Sequence, residues 1–138
     1  MAYEEAVRSV TLNADATLAV YTGVPGQPGS ADPNGGKQYH FVKVTGVHQV
    51  GLSDADDVNV IGVLQNKPQY TGNAATVAIR GIVKVVADKA VTAGTKVFCS
   101  ADGQATDVTN GGGNALGVAV STTANAGELL SVLFFPKL

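Results

Sequence analysis

The sequence is short of charge. Aspartate, glutamate, lysine and arginine make up 14% of its 138 residues, against about 25% in an ordinary soluble globular protein. So few charges point to a surface partly covered by something else, through oligomerisation or docking on a larger assembly. Basic residues are few and scattered, nine lysines and arginines under a formal charge of −2. That excludes nucleic acid as a partner, because phosphate binding needs a clustered basic footprint. A single cysteine, Cys99, excludes an internal disulfide framework and fits a reducing compartment. Long hydrophobic runs are also missing. The longest, residues 129–135, is broken by Ser131, and a membrane-spanning helix needs about 18 apolar residues, so no membrane partner is expected. The opening Met1-Ala2-Tyr3-Glu4-Glu5-Ala6-Val7-Arg8 has acid where a signal peptide is basic and has no apolar stretch, so synthesis in the cytoplasm is expected. Helical periodicity is nearly absent; residues 88–91 or 2–7 would make a single turn at most.

What is present is alternation and glycine. A chain of this length is expected to form one domain, residues 1–138, burying about 68% of its unfolded surface. Ile61-Gly62-Val63, Gly72, Val77 and Ile79 return 55 positions later as Leu116-Gly117-Val118, Gly127, Val132 and Phe134. Each copy, residues 61–80 and 116–135, reads as an apolar run opened by glycine, a polar turn, and a return run with apolar residues at alternate positions. Two strands joined by a loop have this pattern.

The rest of the chain is similar in kind. Residues 7–12 and 17–22 are β-prone runs separated by Asn13-Ala14-Asp15, predicting a first hairpin. Residues 23–37 hold three of the five prolines and form a Pro/Gly-rich insertion predicted to make no ladder. Loop closure costs only about 0.6 kcal/mol per doubling of length, so such a segment can be kept for contact with a partner. Residues 38–47 and 58–64 read as strands, and 76–86 as a long strand bent at Gly81. Asp102-Gly103 predicts a hairpin turn between 96–100 and 105–108. About ten short strands with long loops and little helix make an all-β fold, a small β-barrel or β-sandwich.

No motif carries chemistry. The glycines at 111–113 would need Gly at 116 for a dinucleotide loop, and Leu116 stands there; Gly-Lys-Ser/Thr occurs nowhere. Asp54, Asp56 and Asp57 begin like a calcium loop, but the fifth position is Val58. His40 and His48 are eight apart with no third ligand to name, and His40 is expected to point outward from its strand. Cys99 sits in Val97-Phe98-Cys99-Ser100, an ordinary strand, and is expected to be a buried small hydrophobe. No nucleophile elbow is present, and no acid pair has a sequence context suggesting glycosidase chemistry. The sequence therefore predicts no enzyme, no cofactor and no metal.

Residues 61–135 bring together Gly-Val-Leu, Val-Ala-Ile-Arg-Gly-Ile-Val-Lys-Val, Ala-Gly-Thr-Lys-Val-Phe, Ala-Asp-Gly-Gln-Ala-Thr and Leu-Gly-Val-Ala-Val. In that order the phrases resemble the capsid cement, or head-decoration, proteins of tailed bacteriophages. The resemblance implies a non-enzymatic structural protein, synthesised in the host cytoplasm and added to the outer capsid surface. It would bind the major capsid protein and itself, often as a homotrimer, and stabilise the expanded head. It also implies an N-terminal arm, residues 1–6, that orders on the capsid, with Ala2, Tyr3, Glu4, Glu5 and Ala6 as contacts and Tyr3 as anchor. Val24, Pro25, Pro28 and Pro33 of the insertion are the second set of candidates. A carbohydrate-binding or adhesive β module is the alternative from another class, disfavoured by four tyrosines and no tryptophan. A tail-tube or baseplate component of the virion is a third.

Overall fold

A computed structural model of the chain describes residues 5–55, 59–109 and 113–135. Among them there is no helix and there are nine strands: β1 (Glu5–Ala14), β2 (Phe41–Gly46), β3 (Gln49–Leu52), β4 (Val60–Leu64), β5 (Ala74–Val86), β6 (Lys96–Cys99), β7 (Ala105–Thr106), β8 (Gly117–Ala119) and β9 (Leu129–Phe134). The sheet order is β1-β3-β2-β4-β5-β9-β8-β6-β7, and β1 also pairs with β5. That last pairing closes a five-stranded ring of β1, β3, β2, β4 and β5. A second ring starts from β5 and runs through β9, β8, β6 and β7, and a parallel bridge from Ala105 to Ala87, just beyond β5, completes it. β5 is long enough to serve both rings, and it bends at Gly81, whose φ of 106° only glycine adopts easily.

The rings repeat one another in register. Val63↔Ala78 and Leu64↔Val77 in the first correspond to Val118↔Leu133 and Ala119↔Val132 in the second. The match extends beyond the repeated sequence. Phe41↔Val63 corresponds to Lys96↔Val118, and Val44↔Val50 to Cys99↔Ala105. Even the unusual dihedrals recur: Tyr39 (φ 65°) stands where the second ring has Gly94 (91°), and His48 (53°) where it has Gly103 (70°). Gly62 and Gly117 show why both copies need glycine. A Cβ there would lie 2.3 Å from the carbonyl oxygen of Ala78 and 2.1 Å from that of Leu133.

Each ring is filled from equivalent positions, since alternate strand residues point inward. Ala14, Leu18, Val42, Val50, Leu64, Ala75 and Val77 fill the first. Their counterparts Ala87, Val91, Val97, Ala105, Ala119, Leu130 and Val132 are all buried in the second. The second cluster also takes in Phe41, Val63 and Ala78 from the outer face of the first ring, with Phe41 stacked on Phe134 at 6.2 Å between ring centroids. Burying a side chain such as Phe41 stabilises by about 1.5–3 kcal/mol, so this joint holds the rings together firmly.

Three expectations are corrected. Residues 17–22 do not pair with β1, whose partners are β5 and β3. Asp15 turns the chain instead, accepting from the Thr17 amide at 2.8 Å, and Leu18 enters the first ring as a plug. Among the described residues, 88–91 form no helical turn, and β1 occupies part of 2–7. β1 begins at Glu5, earlier than the β-prone run at residue 7, with the Glu5 backbone opposite Ile82.

Candidate functional site

The insertion at residues 23–37 is the surface feature most unlike the rings. As expected, no strand runs through it, but two isolated bridges close it. Tyr21↔Ala31 and Val24↔Gln27 are antiparallel bridges, and Thr22 N–H donates to Ser30 O at 3.1 Å. The tip is Val24-Pro25-Gly26-Gln27, in which Gln27 N–H donates to Val24 O at 2.9 Å and Gly26 has φ 89°. Proline at the second position and a positive-φ glycine at the third are what a type II turn requires. The same residues that read as ladder breakers thus build a narrow finger.

Its base is fixed by backbone hydrogen bonds and side-chain contacts. Val20 and Tyr21 donate amide hydrogens to Pro68 and Gln69 carbonyls, both at 2.9 Å, and Tyr21 stacks on Tyr70 with centroids 5.7 Å apart. Asp32 accepts from the Asn34 amide at 2.8 Å and pairs with Lys37 Nζ at 3.2 Å. The Asn34 hydrogen bond, opposed by partial burial and reinforced by Lys37, holds the Asp32 carboxyl below its ordinary range. Val24, Pro25 and Pro28 lie exposed on this finger, Val24 at 59%, and Pro33 is exposed in the turn beyond its base. Three of the four candidates of the second set thus share one loop, and Pro33 follows it.

The first set is divided. Ala2, Tyr3 and Glu4 lie outside the described residues, whereas the Glu5 and Ala6 backbones belong to β1. Asp56, Asp57, Gly111 and Gly112 also lie outside the described residues. His40 is buried rather than outward-facing. Its Nδ1 is 3.0 Å from Gln38 O, and burial pushes its pKa below the ordinary value. The cause is the left-handed Tyr39 just before it, which breaks the strand alternation at Phe41. His48 is in the turn of the β2–β3 hairpin, at the other end of β2 from His40. Cys99 is 2% exposed and its thiol donates to Ser100 O at 3.3 Å. Burial pushes the Asp88 carboxyl up, partly offset by its hydrogen bond with Thr106. No group of three or more His, Cys, Asp or Glu side chains able to hold a metal occurs among the described residues. No helix long and apolar enough to cross a membrane occurs among them.

Two fused rings and the bridged finger make up an all-β fold. Comparison with known proteins makes the class specific. The sequence profile of the phage cement proteins matches residues 34–134, most of the chain, and the chain belongs to that family. It is a capsid-associated structural protein of a phage. The N-terminal head fiber base gp8.5 of bacteriophage phi29 has a similar fold, with a TM-score of 0.62 over 96% of this chain and 98% of that one at 16% identity. No curated protein sequence matches the chain. The matched residues contain the first copy of the repeat and all but the last residue of the second, while β1 and the finger precede them.

Proposed function

We propose that the protein binds the outer surface of the capsid through the major capsid protein, as a homotrimer, and stabilises the expanded head. The family match over residues 34–134 carries this reading. A ligand that binds only the assembled lattice stabilises it by RT ln(1 + [L]/Kd), about 2.7 kcal/mol per site at a hundredfold excess over Kd, and the effect is multiplied over the sites of a head. The finger suits the task. Its backbone is already hydrogen-bonded and two of its residues are prolines, so docking it requires little further ordering. Residues 2–4 are the second contact, an arm that adds main-chain hydrogen bonds at an edge of the lattice.

Heads lacking the protein, mixed with purified chain and followed by co-sedimentation and negative-stain microscopy, test the reading. Decoration of the outer surface is expected, with a higher temperature of DNA release. A Val24→Asp, Pro28→Asp double variant, or deletion of residues 2–4, is expected to weaken binding at least tenfold, about 1.4 kcal/mol. Thermal unfolding of the free protein should stay unchanged. Heads that remain bare with the full chain refute the proposal, and full binding by both variants refutes the contacts.

A further inference from the structure

Besides sharing β5, the two rings meet at one packed joint inside the chain, and each half of that joint occurs a second time without its partner. On the first ring, Phe41, Val63 and Ala78 form one cross-strand row over β2, β4 and β5. All three face outward from that ring and are 0% exposed. The second ring covers them: Phe134 stacks on Phe41, and Gly103 O accepts the Phe41 amide at 2.7 Å. The same row on the second ring is Lys96, Val118 and Leu133. There it lies open. Leu133 is 42% exposed and Phe135, one residue past β9, is 51% exposed. Lys96, Phe98, Val118 and Phe135 line a shallow depression on this face.

The other half of the joint is the hairpin end of a ring. In the second ring the β6–β7 turn is pressed on the first, so closely that a Cβ at Gly103 would come within 2.7 Å of Leu52 Cδ1, and Cys99 is buried in the cluster that spans the joint. The first-ring counterparts of Cys99 and Gly103 are Val44 and His48, on the β2–β3 hairpin. Val44 is 55% exposed and Val47 beside His48 is 90% exposed. The chain thus presents an open row where its own fold covers the equivalent row, and an open hairpin where its own fold uses the equivalent hairpin as the cover.

We propose that these two surfaces form one self-association site: a second copy of the chain seats its β2–β3 hairpin on the outer face of β6, β8 and β9. This repeats between chains the joint that the β6–β7 hairpin makes within one. A second copy is the occupant because it carries the matching hairpin in the matching backbone register. Contact between two different patches is head-to-tail, so it closes into a ring when the rotation per copy allows. The proposal rests on the self-association in the function proposed above and is independent of its capsid part.

The test is photo-crosslinking with benzoylphenylalanine at position 135 in the full-length chain, at high concentration in solution and bound to heads. Expected are covalent multimers of the chain whose crosslinks map to residues 41–52 of the neighbouring copy. Leu133→Asp and, on the opposite surface, Val47→Asp should each reduce the multimers at least tenfold with circular dichroism and thermal unfolding unchanged. Multimers crosslinked elsewhere overturn this surface while leaving self-association intact. Crosslinks to the capsid subunit alone, or no intermolecular product in either setting, overturn the proposal. Retained head binding in that case leaves the capsid reading standing.

Discussion

The twin glycines offer the sharpest test of the duplicated fold. Gly62 and Gly117 occupy equivalent places on β4 and β8, and alanine at either would put Cβ 2.3 or 2.1 Å from a carbonyl oxygen of the neighbouring strand. Those oxygens belong to Ala78 and Leu133, which are held in the ladder by registered pairing, so a backbone must shift. Valine side chains add to the crowding, with Val77 Cγ1 at 2.5 Å and Val132 Cγ1 at 3.0 Å. Overpacking of this kind costs about 1–3 kcal/mol. At roughly 3–5 °C per kcal/mol for a domain of this size, each variant should lose on the order of 3–15 °C. Gly72 and Gly127 give the control: their φ values are 88° and 87°, and a Cβ at either would meet nothing within 4 Å. Alanine there incurs only the left-handed backbone penalty, about 1–2 kcal/mol. Scanning calorimetry of the four single variants should show two matched pairs. Unchanged Tm for Gly62→Ala or Gly117→Ala, or a large effect in one ring and none in the other, would refute the argument that close strand approach requires both glycines.

Cys99, 2% exposed, should react slowly with thiol reagents under native conditions, and Cys99→Ala should lower Tm without altering head binding; rapid labelling would show the site to be open. Stability should fall as pH drops below 6.5, the ordinary histidine value, because burial lowers the pKa of His40 in the fold. The favourable contribution is complete above that value and is lost as pH falls through the depressed one. Asp88, raised by burial, acts with the opposite sign, losing its contribution as pH rises from 3.8 through its folded value. The difference in Tm between wild type and His40→Gln across pH is therefore the readout, and a flat difference curve would contradict the assignment.

The all-β class and the strand-loop-strand pattern were legible because alternation and glycine placement are local signals. The wider duplication was not. Phe41 and Lys96, Val44 and Cys99, or Val50 and Ala105 share backbone roles while differing in size or charge. The left-handed positions at 39 and 48 are hidden behind Tyr and His, where the second ring shows Gly94 and Gly103. The false hairpin at residues 17–22 arose because β-propensity cannot show that Leu18 fills a ring and leaves no ladder position. On the finger, proline and glycine density correctly excluded a ladder but did not reveal the bridges that close it, although the order Pro25-Gly26 already specifies a tight turn. Burial of His40 depends on the unusual backbone at Tyr39, which strand alternation does not anticipate.

The shared strand has a mechanical consequence. β5 runs 13 residues from Ala74 to Val86, with β1 and β4 along its first part and β9 along its second. Tension applied to the finger side and resisted at the far ring is shared between the packed joint at Phe41 and this strand with its flanking ladders. Where the pull follows the strand direction, those hydrogen bonds are loaded in parallel as shear, and many must break together before the rings separate. A capsid that swells would then meet a tie whose two ends yield together.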